Sequence, residues 1–121
     1  MARTNPTAVD SNPISGIRGA GRQYDSITLT NDPTTTAELN KIGFAFGSIV
    51  NESGGALTIA YYGCHAPGGT ALIAIDQDAV AASQVVADDR IADIHTACAG
   101  VPYLIPVLSS GSAVVSFHFE R

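Results

Sequence analysis

Two thiols and two imidazoles stand in two short pairs, Cys64-His65 and His95-x-x-Cys98, and together they form the donor set of a structural zinc site. On a helical turn over residues 93–99, His95 and Cys98 would share a face. Cys64 and His65 on a strand point to opposite sides, so the four donors do not converge easily on one ion. Buried thiols with surface histidines are the simpler expectation. A Cys-His nucleophile pair needs a third group to orient the imidazole and a pocket around it, and no stretch of the chain specifies either.

The carboxylates Asp76, Asp78, Asp88, Asp89 and Asp93 crowd into a few loops, yet Asp76-Gln77-Asp78 lacks the remaining positions of a calcium loop. Acids in such turns usually cap backbone N–H groups. The stretch GIRGAG has the spacing of a dinucleotide fingerprint reversed and leads into a strand, so no helix N-terminus is at hand for a phosphate. Asn51-Glu52-Ser53 matches a glycosylation sequon but, without a secretory signal, reads only as a turn. The expectation is therefore no catalytic residue, no metal ligand, no cofactor site and no enzymatic activity.

Composition agrees with that thin chemistry. The chain has 121 residues, 45% of them hydrophobic and only 14% charged, which fits one domain built of short strands rather than helices with solvated charged faces. A net charge of −5 disfavours phosphate contacts, so nucleic acid is not an expected partner. No run of eighteen apolar residues appears, and no membrane association is expected. Residues 1–22 hold Arg3, Arg18 and Arg22 against one acid, Asp10, while the remainder holds ten acids against Lys41, Arg90 and Arg121. This division predicts a flexible or extended N-terminal arm over 1–22 and a β-sandwich domain over 23–121.

Within the body the periodicity is that of strands. Residues 24–31 alternate with Ile27 and Leu29 inward, and 113–120 alternate with Val115, Phe117 and Phe119 inward. Residues 42–50 predict a strand with Ile42, Phe44, Phe46 and Val50 on one side, joined through Gly54-Gly55 as a β-hairpin to 56–62. Short strands are expected near 71–75 and 80–86, and Asp93 is expected to cap one helical turn ending at Gly100. Pro102 and Pro106 place the strand VPYLIPVL at an edge or a bend. Tyr61-Tyr62 puts one ring on each face of its strand, one for the core and one for a contact. Strands with Ala, Gly, Thr and Tyr on their back faces make an antiparallel, all-β, jelly-roll-like sandwich whose surfaces suit contact with another molecule.

The order FAFGSIVNESGGALTIAYYG, a Gly-rich turn with a short apolar strand, the acid-rich ADIHTACAG and then PYLIPVLSSGSAVVSFHFE resembles small virion proteins of tailed bacteriophages, and among them the capsid decoration, or cement, proteins. The resemblance covers roughly residues 40–121 and implies a protein made in the host cytoplasm that assembles, commonly as a homotrimer, on the outer capsid surface and bridges neighbouring major capsid proteins. On that basis Arg3, Arg18 and Arg22 are the expected arm contacts to the capsid, and Tyr62, Tyr103 and Ile105 the expected subunit-interface residues. The alternative expectation is a carbohydrate- or receptor-binding sandwich of a phage tail or fibre, using an exposed tyrosine with loop acids.

Overall fold

The computed structural model describes residues 3–11 and 21–120; Arg18 lies outside the described residues. Ten strands form among them: β1 (Val9–Ser11), β2 (Gly21–Thr30), β3 (Leu39–Asn40), β4 (Phe46–Asn51), β5 (Leu57–Cys64), β6 (Leu72–Ile73), β7 (Ser83–Val86), β8 (Arg90–Asp93), β9 (Tyr103–Leu108) and β10 (Ser112–Glu120). All pair antiparallel, in one sheet ordered β1-β2-β10-β4-β8 and a second ordered β3-β9-β5-β6, with β7 sharing the free edge of β5 with β6. The protein is all-β, with two antiparallel sheets.

Alternation explains how the sheets meet. Ile27 and Leu29 of β2, Ile49 of β4 and Val115, Phe117 and Phe119 of β10 enter the same core as Ile59 and Tyr61 of β5, Leu104 and Leu108 of β9 and Val86 of β7. Phe117 and Phe119 stack at 5.9 Å between centroids, and Tyr24 meets Phe119 edge-on. Gln84 of β7 bridges the two layers: its Oε1 accepts from the Tyr61 hydroxyl at 2.6 Å and from the His95 backbone N–H at 3.1 Å, and its Nε2 donates to the Asp93 carbonyl.

Three expectations about the central strands are corrected. β4 and β5 form no hairpin, because they belong to different sheets and the link between them crosses from one to the other. Asn51 makes the crossing possible: fully buried, it donates to the carbonyls of Gly55, Val86 and Ala87 and accepts from the N–H and hydroxyl of Ser53, while Gly54 turns the chain at φ 99°. The inward face of β4 is also the opposite one, since Phe46 is exposed and Ile49 buried. Gly47 permits this, as a Cβ there would lie 2.6 Å from the Phe119 ring. Finally, β9 is a central strand, flanked by β3 and β5. Its Pro106 is tolerated because β3 pairs only with Tyr103 and Leu104, and the Pro106 carbonyl takes the Thr36 hydroxyl instead.

The expected division at residue 22 coincides with no element boundary. β1 pairs with β2 from Val9 to Ser11, and Gly21 and Arg22 already lie inside β2, paired with Glu120 and Phe119. The acid-rich segment holds a strand, β8, that the sequence pattern did not announce, followed by a 3-10 turn at Thr96–Cys98. That turn is capped by His95, whose Nδ1 accepts from the Ala97 N–H, and not by Asp93.

Candidate interaction surface

The outward residues of the second sheet assemble from β5, β7, β9 and the β6 segment. Cross-strand register sets Ile105, Tyr62 and Ile73 in one row, Val107, Ala60 and Ser83 in the next, and Thr58 with Val85 beyond. None of these side chains is charged. Val85 is 68% exposed, Ile75 52% and Ile73 45%, so a strip of branched apolar side chains lies open to water along the β6-β7 margin.

The opposite end of the same face is sealed. Cys64, Ile105 and Val107 form a second buried cluster under Tyr62, Ala71 and Tyr103. Above it the N-terminal segment docks: Thr4 bridges Ala37, and the Glu38 N–H donates to the Thr4 carbonyl. Arg3 reaches in to pair with Glu38 at 2.9 Å and donates to the carbonyls of Pro33 and Gly69; the two side chains are 9% and 3% exposed. Glu38 accepts in addition from the Gly68 N–H and, at 3.6 Å, from the Cys64 thiol.

This geometry decides where the expected site residues stand. Tyr62 and Tyr103 are half-buried on the outer face beside Ile105, so the three interface candidates do come together. Ile105 itself is fully buried and acts as the support beneath Tyr62. Tyr61 is the core member of the tyrosine pair. Arg3 is engaged with Glu38, and Arg22 makes a two-point contact with Asp10 at 2.6 and 2.8 Å while lying over the Phe44 ring. The Arg22 guanidinium holds the exposed Asp10 carboxyl below its ordinary range.

The thiol-imidazole set is dispersed. Cys64 lies on the outer face of the second sheet, Cys98 lies in the main core, and His65 is exposed. Among the described residues no three His, Cys, Asp or Glu side chains group as metal ligands. Burial keeps both thiols protonated, pushing Cys98 up to about 12 and raising Cys64, where the Glu38 carboxylate adds to the effect. Asp76 accepts from the N–H groups of Asp78 and Val80, and Asp88 from that of Gly54, so these loop acids cap turns.

Lys41, which the sequence did not single out, is buried with its ammonium donating to the carbonyls of Phe44 and Ala99. Desolvation lowers its pKa. Its only sequence signal was its place as a lone cation in an apolar stretch. No helix among the described residues is long and apolar enough to cross a membrane. No family model, curated protein or solved structure matches the chain.

Proposed function

We propose that this chain is a structural assembly protein, a capsid decoration protein that self-associates, as a trimer, on the outer surface of a phage head and bridges major capsid proteins. The single observation behind the reading is the uncharged outer face of the second sheet, with Ile73, Ile75 and Val85 open beside half-buried Tyr62. Covering such a strip with a second subunit removes apolar area worth roughly 25 cal/mol per Å² before association costs. The phrase order that resembles decoration proteins suggests the shell as the setting, and two antiparallel sheets suit the β-sandwich that this resemblance implies. A role without catalysis is favoured by thiols that burial makes poor nucleophiles.

The arm takes a narrower part than expected. Arg3 and Arg22 already hold partners within the chain, so a contact from either to an acidic capsid surface requires an ion pair to open first. Attachment by the arm then rests on residues between the two docked stretches, Arg18 among them.

Sedimentation velocity tests the reading. The parent protein is expected to run as an oligomer, and the double variant Ile73→Lys, Val85→Lys as a folded monomer. A monomeric parent, or an oligomer indifferent to both substitutions, overturns the self-association. Co-sedimentation with undecorated phage capsids tests the setting, and failure to bind any expanded shell removes it.

A further inference from the structure

The geometry points to a binding site for a neutral sugar residue at the β4–β8 end of the first sheet. Residues 45–47 and 93–96 run side by side there, with the Ile94 N–H donating to the Gly47 carbonyl at 3.0 Å and Ser48 paired with Asp93. They enclose a cavity of about 310 Å³ bordered by Ala45, Phe46, Asp93, Ile94, His95 and Thr96. That volume lies at the small end of ordinary ligand pockets, about 300–1,000 Å³.

Its walls offer one aromatic surface and three polar groups. The Phe46 side chain is 63% exposed, an aromatic surface that no core contact demands. Asp93 is exposed and enters no ion pair among the described residues, so its carboxylate is a free acceptor. His95 accepts the Ala97 N–H on Nδ1, which leaves the proton of the neutral ring on Nε2 as a donor, and the Thr96 hydroxyl serves in either sense.

A pyranose has the matching chemistry: one face of C–H groups for an aromatic ring and a rim of hydroxyls that both donate and accept. Competing ligand classes fit less well. No Lys or Arg borders the cavity to hold an anion. An ammonium group would pair with Asp93 but meet the His95 N–H, a donor facing a donor, and a wholly apolar ligand would match the mostly apolar wall yet leave the Asp93, His95 and Thr96 groups unused. The inference is independent of the assembly proposal, since it rests on the other sheet.

The test is an amide NMR titration of the full chain with glucose, galactose, mannose and N-acetylglucosamine. Saturable binding by at least one is expected, with Kd on the order of 1 mM and shifts confined to residues 45–47 and 93–96. Phe46→Ala and Asp93→Asn, both at exposed positions where the fold is not at stake, are each expected to weaken it by about tenfold or more. No saturable shift from any of the four sugars overturns the proposal, as do shifts centred elsewhere or unchanged affinity in both variants. Saturation by methylguanidinium in place of the sugars would assign the cavity to a cationic side chain and overturn it equally.

Discussion

The outer faces of the two sheets handle water differently. On the first sheet the apolar side chains Phe46, Ile91 and Val114 stand among Asp25, Asp93, Glu120 and His118, so water and charge are interspersed with them. The second sheet bears no charge along its open margin, and at its far end the one charged pair, Arg3 and Glu38, is buried. Apolar residues scattered on a charged face are ordinary, whereas a continuous uncharged strip is the kind of surface at which proteins bind partners. Under the assembly proposed above, the second sheet's face is the unfinished one, and the N-terminal segment already covers half of it.

Breaking the finished half should have the largest effect. Arg3→Met leaves Glu38 buried without its cation, and a loss of about 3–5 kcal/mol is expected in chemical denaturation. The same variant should make Cys64 react with a thiol reagent under native conditions while Cys98 stays protected in the core; equal protection of both would show that the seal does not depend on Arg3. Deleting residues 1–22 should be harsher still, because it also removes β1 and the first two residues of β2.

The core thiol sharpens the comparison through pH. Cys98 in the folded chain is pushed up to about 12, whereas the unfolded thiol ionises at its ordinary 9.0. Above that value the unfolded state has lost a proton that the folded state keeps, so stability falls as pH rises. From pH 8 to 10 this amounts to about 1.4 kcal/mol. Cys98→Ala removes the slope while adding a cavity cost that does not vary with pH, so the gap between parent and variant should close over that interval. Lys41 acts in the opposite sense: burial lowers its pKa below 10.5, and stability gains as pH rises from that lowered value toward 10.5. The two groups are coupled, since Cys98 raises the Lys41 pKa against desolvation, so Cys98→Ala also lowers Lys41 further and the Lys41 contribution differs between the two proteins.

On the unfinished half, Val85→Lys should change monomer stability by no more than about 0.5 kcal/mol yet abolish self-association in sedimentation. The smallest effect is expected on the first sheet, where Thr28→Lys at an exposed position opposite Val114 should alter neither stability nor assembly. If Thr28→Lys dissociates the oligomer and Val85→Lys does not, the two faces have exchanged roles.

Much of the framework was legible in the alternation. The inward sets of β2, β5 and β10 follow the apolar period-2 pattern, and Gly54 turns the chain with the positive φ expected of it. What the pattern hid were places where one side chain replaces a ladder. A Gly-Gly turn between two apolar runs looks the same whether the strands pair or separate, and only the saturated amide of Asn51 tells them apart. β8 went unannounced because its Ile91 is 71% exposed and its charged neighbours mimic a loop. In the candidate surface, Tyr62 and Tyr103 were visible as amphipathic rings near apolar runs. The docking of Arg3 was not, since its partner Glu38 is 35 residues away and a lone basic residue near a terminus carries no sign of where it will fold.

Gln84 leaves a mechanical consequence. Its strand lies beside the open strip, and its amide holds a tyrosine of its own sheet and two backbone groups of the chain beside the other. A load on the strip is thus passed to the first sheet through three directional hydrogen bonds as well as through the close-packed core.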